Sequence, residues 1–426
     1  MSDYRPRIAD QLLSESLEAL GAVLVQGAKW CGKTTTSVHH AKSVLYMDDP
    51  NQKAQNLALA QTNIKRLLEG ETPRVIDEWE LAPELWDAAR FEVDHRDTHV
   101  GQFIFTGSAV PKEKDKKKIF HSGTGRFDWI TMRTMSLWES GDSTGDVSIG
   151  ALFDGAMPDG MSHIDLDRIA YLTCRGGWPG ALSLSANAAL RVSRAYLKAV
   201  VESDISRVDD VKRDPDLMMR IIRSLARNQG EQIPYTTIRA DVLNNENVQL
   251  SDDTVENYVK VLKCIFLEED MRAWNPNLRS KTAIRTTDTR YFVDPSIATA
   301  ALGLGPDDLL NNLIDFGFYF ETLVVRDLRV YADALDGEVF HYRDKAGLEC
   351  DAVLHRRNGA YGLIEIKLGG ADNIEKGATT LKDLAGKIDT TKMKAPSFMM
   401  VITGIGQYAY CREDGVFVVP IGCLKP

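Results

Sequence analysis

What this chain has little of narrows its class before any motif is read. Its 426 residues hold six cysteines, at 31, 174, 264, 350, 411 and 423, with no CxxC pair among them. That spacing excludes a zinc ribbon and a disulfide framework, so the thiols read as reduced side chains, mostly in cores. No run approaches the roughly 18 consecutive apolar residues that a membrane-spanning helix needs. The opening MSDYRPRIADQLL has no apolar core of a signal peptide, and the expectation is a cytoplasmic protein with no membrane partner. Positive charge is also in short supply: Lys and Arg total 51 against 61 Asp and Glu, a net of −10. The molecule as a whole therefore does not draw nucleic acid to itself, and such contact needs a local patch. The run PKEKDKKK at 111–118 is one by composition, but charge runs without aromatics are usually solvated loops.

What is present is enough apolar content, 44%, to bury several cores, and a chain this long is expected to form two to four domains. The most specific signal is GAKWCGKT at 27–34, which follows the apolar run AVLV at 22–25 and opens a helix-compatible stretch. It predicts a phosphate-binding loop. Glycines at 27 and 32 let backbone N–H groups turn inward around a β-phosphate, and the helix end adds its positive dipole. Gly27, Ala28, Lys29, Trp30, Cys31, Gly32, Lys33, Thr34 and Thr35 are the expected nucleotide contacts. Lys33 would reach the β and γ oxygens, and Thr34 would place its hydroxyl on Mg2+.

Two later strand ends answer the loop. RVIDE at 74–78 is a short apolar strand closing on two carboxylates, which predicts Asp77 as a metal-holding acid and Glu78 as the group that polarises the attacking water. QFIF at 102–105 runs into Thr106-Gly107-Ser108, which makes Thr106, and after it Ser108, a candidate sensor of the γ-phosphate. Taken singly, two acids at a strand end or a Gly-Ser turn are ordinary surface features. Together with the loop they form a constellation.

Apolar runs at 22–26, 44–47, 74–77, 102–105 and 128–132 alternate with longer polar segments to about residue 140, the pattern of a parallel sheet with flanking helices. Residues 151–211 read as helical, broken by RGGWPG at 175–180. Helical signals at 217–228, 235–244 and 252–266 precede strand-like RYFV at 290–293, which predicts a winged helix. Its third helix is expected to start with a cap at 253–256 and carries Asp252, Asp253 and Glu256 where phosphates would approach, favouring a structural or protein-docking role. Lys281, Arg285 and Arg290 leave DNA contact open. The last part restarts with a helix at 313–334 and continues with strands at 338–343, 349–354, 362–367, 398–403 and 416–419, with a helix near 374–389.

A second constellation sits there. Glu365 and Lys367 lie two apart on one strand and share a face, while Asp351 lies on the strand before. Two carboxylates meeting across neighbouring strands can hold divalent cations, and a lysine beside them can orient water, which suits phosphodiester hydrolysis. Glu321 on the preceding helix completes the predicted metal set with Asp351 and Glu365. The bland alternative is a surface hairpin of alternating charge.

With these residues in view, the chain resembles the AAA-type, archaeal-ATPase-like P-loop ATPases that carry a C-terminal domain of unknown function. The stretches that carry the likeness are GAKWCGKTT at 27–35, VIDEWE at 75–80, FTGS at 105–108, GR at 125–126, RGGWP at 175–179, YFVDPSIATAALG at 291–303, FE at 320–321, ECDAVL at 349–354 and IEIK at 364–367. Glu80 stands where that family usually has Gln. The resemblance implies an α/β fold in four parts: a P-loop AAA-type domain with a parallel sheet at 1–140, a helical lid or linker at 141–211, a winged helix at 212–304, and a C-terminal α/β domain like the PD-(D/E)XK nuclease fold at 305–426. It favours ATP over GTP, and it makes Arg126, with Arg133 after it, a candidate phosphate sensor or arginine finger supplied in trans within a homo-oligomer. The leading expectation is a Mg2+-dependent ATPase acting as a switch or motor on its C-terminal domains. An ATP-regulated, metal-dependent DNA nuclease using Asp351, Glu365 and Lys367 and a non-catalytic, nucleotide-loaded scaffold that binds a protein partner are the alternatives.

Overall fold

The five apolar runs of the N-terminal segment become one sheet in which every pairing is parallel. β1 (Ala22–Gln26), β2 (Ser43–Tyr46), β3 (Arg74–Asp77), β4 (Phe103–Gly107) and β5 (Phe127–Thr131) lie in the order β2-β3-β4-β1-β5. A parallel sheet is covered on both faces, which is why its central strands are apolar without alternation. Successive side chains leave to opposite sides. Leu24, Ile76, Phe103 and Phe105 enter one core with Trp79, Trp86 and Phe127, while Val23, Val25, Val75 and Ile104 enter another with Leu13 and Leu17. Trp86, from the helix Glu84–His95, stacks on Phe127 with ring centres 3.9 Å apart. Helix α1 (Ile8–Ala19) supplies Leu13 and Leu17 to the opposite face.

This computed structural model describes residues 4–108, 119, 121–205, 208, 211–243, 250–279 and 284–426. The basic run at 111–118 and Lys281 lie outside the described residues. By compactness the chain forms two units. The first comprises Met1–Thr134 with Glu202–Arg213 and Lys260–Leu267, and the second comprises Met135–Val201, Asp214–Val259 and Glu268–Pro426.

In the second unit the helical signals appear as Leu166–Arg175, Ala186–Ala199, Pro215–Arg227 and Tyr235–Leu243, and an antiparallel ladder joins Glu268–Met271 to Thr289–Phe292. The helix Asp252–Cys264 starts where its signal does, and its cap lies two residues before the expected one. Ser251 accepts the Thr254 N–H at 3.1 Å, because a short hydroxyl reaches an orphan amide of the first turn more readily than Asp253, already inside the helix. Arg290 does not face solvent as a DNA contact. Its guanidinium donates to the Ile233 carbonyl and lies 4.7 Å from the Tyr235 ring centre, so internal packing uses its charge.

The turn dense in helix breakers at 175–180 is a junction within this unit. Gly177 donates its N–H to Asp294 at 2.8 Å, Trp178 donates its indole N–H to Ser296 at 2.9 Å, and the buried Arg326 pairs with Asp294 at 3.2 Å and Asp327 at 2.7 Å. Asp327 also accepts the Leu137 N–H at 2.9 Å. Every member of this polar cluster has a partner, which is the condition for keeping charge in a core.

A seven-stranded sheet closes the second unit, in the order Gly337–Arg343, Glu349–Arg356, Tyr361–Lys367, Phe398–Thr403, Phe417–Pro420, Tyr408–Cys411 and Gly160–Met161. The first three strands are antiparallel neighbours, and the next two run parallel to Tyr361–Lys367. Helix Ala371–Lys387 sets Ala378, Leu381 and Leu384 against Val353, Leu363 and Val401. Among the described residues no helix is long and apolar enough to cross a membrane.

Candidate nucleotide site

β1 delivers the chain into the loop at the C-terminal edge of the parallel sheet, the edge where such folds gather ligands. Gly27 has φ +149°, and a Cβ there would stand 2.1 Å from the Met132 carbonyl oxygen, so only glycine fits. Gly32 at φ +108° and Trp30 at φ +65° are also left-handed. Left-handed turns in succession are how a backbone aims several amides at one anion. The loop is pinned from below by Arg7, whose buried guanidinium donates to the carbonyls of Cys31 at 2.9 Å and Arg133 at 2.8 Å. Nothing in the spacing of the sequence marks Arg7, because the contact joins segments far apart along the chain.

Four residues expected at one point are there. Lys33 is buried and donates to the carbonyls of Gly27 at 2.9 Å and Ala28 at 2.8 Å, so its ammonium lies inside the loop. Thr34 donates its hydroxyl to Asp77 Oδ1 at 2.8 Å, and Thr106 donates to the same oxygen from β4. The strand register pairs Asp77 with Thr106 directly. Lys29 points the other way, to Asp204 at 2.6 Å, and Thr35 and Trp30 are exposed. Thr34 and Asp77 present hard oxygen donors side by side, a set that fits Mg2+.

Glu78 follows Asp77 with φ +53°, a left-handed conformation that costs a non-glycine residue of order 1 kcal/mol or more and singles out functional positions. Burial raises its carboxyl above the ordinary value and the neighbouring Asp77 adds to that, against the pull of Lys33 and Lys29. Glu80, which stands where the resembling family usually has Gln, is partly exposed but has a buried Oε2. Ser108 donates its N–H to Glu80 Oε1 at 3.1 Å, and burial together with Glu78 pushes the Glu80 carboxyl up to about 8.

The two arginine candidates change places. Arg126 precedes β5, at the edge of the sheet away from the loop, since Phe127 pairs with Ala22 at the start of β1. There it is half-exposed and paired with Asp94 at 2.9 Å, so it does not reach the loop of its own subunit. Arg133 instead follows β5 at the loop edge, where its carbonyl takes the Arg7 hydrogen bond.

The second constellation also assembles, but not as a metal centre. Ala352 pairs with Ile364, which sets Asp351 opposite Glu365 one step along. Lys367 lies between them, 2.9 Å from Asp351 and 2.7 Å from Glu365, and the Ile366 N–H donates to Asp351 at 2.7 Å. Glu321 is partly buried and takes the Tyr291 hydroxyl at 2.6 Å. Burial and the Asp351 charge push both Glu321 and Glu365 up to about 8. Burial opposes the charge on Lys367, but the Asp351 and Glu365 carboxylates outweigh it and raise the ammonium above its ordinary value. Among the described residues no group of three or more His, Cys, Asp or Glu side chains could hold a metal. The expected metal role of Glu321, Asp351 and Glu365 is therefore corrected: the lysine already supplies the positive charge that a cation would.

Three family models match parts of the chain. Residues 20–140 match the family model of an AAA domain. Residues 166–308 match a domain of unknown function, DUF8612, and residues 316–424 match another, DUF4143. The segment matched by the AAA domain model is the one that holds the parallel sheet with its loop after β1. No curated protein matches the chain. Among solved structures it is similar to the Walker-type ATPase of Pyrococcus abyssi at 15% identity and TM-score 0.41, over 70% of this chain and 99% of that one. It is also similar to RuvB of Thermotoga maritima at 15% identity and TM-score 0.26, over 62% and 92% of the two chains. A third likeness is to the Aeropyrum pernix ORC1 protein, solved in complex with DNA, at 14% identity and TM-score 0.23, over 74% and 97%.

Proposed function

We propose that the chain binds ATP with Mg2+ in the 27–35 loop and hydrolyses it, and that the nucleotide state acts as a switch or motor on the C-terminal domains. The observation that carries this reading is the convergence of Thr34 and Thr106 on one oxygen of Asp77 beside the buried Lys33 ammonium. The match of residues 20–140 to an AAA domain supports it.

In this reading the loop amides and Lys33 hold the β and γ phosphates, Lys33 exchanging the Gly27 and Ala28 carbonyls for phosphate oxygens. Thr34 and Asp77 would hold the Mg2+, and Thr106 fixes Asp77 for that task. Bound Mg2+ supplies neutralisation of the phosphate charge. Glu78 orients the attacking water and takes up its proton. Arg126, exposed at the far edge of the sheet, serves only as a finger supplied to a neighbouring copy in a homo-oligomer. The winged-helix segment at 212–304 and the α/β segment at 305–426 receive the switch and engage a partner, a protein ahead of DNA because Arg290 is spent internally.

Titration calorimetry with MgATP, paired with phosphate release, tests the proposal. Micromolar binding and slow turnover, both lost in Lys33→Ala, are expected. Equal binding by parent and variant would overturn the site, and binding without turnover would make the chain a nucleotide-loaded scaffold.

A further inference from the structure

The phosphate loop carries two lysines, and only Lys33 turns into it. Lys29, two residues after Gly27, sends its ammonium to Asp204 at 2.6 Å, across 175 positions of sequence. That acid comes from an uncommon turn. The helix Ala186–Ala199 continues into the single π-helical turn Val200–Asp204, and Asp204 closes it. Such wide turns hold a helix off its ordinary register and are frequent at functional sites. The chain also changes compact units here, since Met135–Val201 belongs to the second and Glu202–Arg213 to the first. Lys29 and Asp204 therefore lie in one unit, while the helix that leads into Asp204 belongs to the other.

The two partners differ in how easily each can move. Val200, Val201 and Ile205 are buried on either side of Asp204 along the chain, and its own side chain is 14% exposed. They fix the backbone that presents the acid. Lys29 is 38% exposed at the rim of the loop, on a flexible four-carbon stem, so its ammonium can change direction while the backbone stays put. A partly exposed ion pair favours its closed form by no more than about fivefold. A phosphate carries more negative charge than one carboxylate and takes strong charge-assisted bonds from an ammonium. The loop amides cradle the inner phosphates, which leaves the terminal γ-phosphate as the group with oxygens to spare for a second cation.

We propose that Lys29 is the residue that tells a triphosphate from a diphosphate, and that Asp204 is its positioning residue. Without nucleotide the acid holds the ammonium off the loop. The γ-phosphate of ATP draws Lys29 away from Asp204, whereas ADP, which lacks that group, leaves the pair closed. Opening the pair releases the turn at the end of the helix Ala186–Ala199 from the loop, so that helix receives the nucleotide state. The inference rests on the ATPase reading above, with the phosphates in the 27–35 loop.

The test is calorimetry of the full chain with MgADP and with a slowly hydrolysed MgATP analogue, for the parent, Lys29→Met, Asp204→Asn and the double variant. Amide hydrogen exchange of residues 196–204 is followed alongside. Lys29→Met should bind the analogue about tenfold more weakly and MgADP within about twofold of the parent. Asp204→Asn should tighten the analogue by about threefold, because Lys29 no longer leaves an acid to reach the phosphate. The double variant should match Lys29→Met, as Asp204 acts only through that lysine. In the parent the analogue, but not MgADP, should speed exchange at 196–204, and in Lys29→Met that exchange should be fast before any nucleotide is added. Equal losses of analogue and MgADP in Lys29→Met overturn the inference, even if Asp204→Asn fails to fold. So does a weaker analogue complex in Asp204→Asn, which would make the pair a brace of the loop. A parent that binds neither nucleotide overturns this inference together with the ATPase reading, whereas parent-like binding by both single variants overturns the roles of Lys29 and Asp204 alone.

Discussion

The Thr34 hydroxyl donates to the Asp77 carboxylate at 2.8 Å across 43 positions of sequence, linking the start of the helix after the loop to the end of β3. Two strands, β1 and β4, belong to the same path, because β3 meets β1 only through β4. The contact exists because parallel strands all end on one edge, so residues that close separate strands become neighbours.

Lys33 is the loop's own cation, and its removal should cost more than any other change there. Lys33→Ala is expected to weaken MgATP binding at least about 100-fold, as a buried phosphate would lose its charge-assisted partner. Calorimetry reads the loss directly, and an unchanged melting temperature would show that the fold survives.

Thr106 acts through Asp77 rather than on the nucleotide. Thr106→Val removes one of the two hydroxyls on that carboxylate at nearly constant volume. A drop in kcat of about tenfold is expected, with a higher Mg2+ requirement and little change in KM for ATP. Mg2+ titrations of turnover by parent and variant check it.

Arg326 carries the polar cluster of the second unit. Arg326→Met should lower stability by about 3–5 kcal/mol, because Asp294 and Asp327 would stay buried without their counter-charge. Chemical denaturation followed by circular dichroism measures this, and a loss below about 1 kcal/mol would show that both acids simply take up protons.

Glu321 gives a pH-dependent prediction of definite sign. Its folded carboxyl holds a proton up to about 8, well above its ordinary value of 4.5. Between those values the folded chain binds more protons than the unfolded one, so stability falls as pH rises across that window. Glu321→Gln cannot release a proton. Its melting temperature should gain on the parent from about pH 5 to about pH 8 and then stay level. A constant difference between the two would refute the buried acid.

Much of the site was legible because it is written in local patterns. GAKWCGKT, the acid-ended run at 74–78 and the hydroxyl at 106 each sit at the end of an apolar run, and β1 and β3 occupy the residues their apolar runs predict. The helix Leu313–Ala334 likewise coincides with its expected bounds. The strand Tyr408–Cys411, next to last in the seven-stranded sheet, was missed, since its alternate residues are exposed and the run is short. Arg7 and Glu80 carry no local signature, as their partners come from distant segments. The acidic set at 321, 351 and 365 does not gather into one group: spacing placed Lys367 beside Glu365, but not that its ammonium would pair with Asp351 and Glu365 together.

The sequence by itself determined the phosphate loop, the strands that carry its acid and hydroxyl, and the negative charge that keeps the chain from being a general nucleic-acid binder. Only the tertiary structure decided that Arg126 ends at the edge of the sheet away from the loop, that Arg7 clamps the loop, and that Lys367 closes the second cluster. The division has one physical cause. Motif and periodicity are properties of neighbours along the chain, whereas charge pairing, burial and the edge a residue occupies are settled when distant segments pack and water is driven out between them.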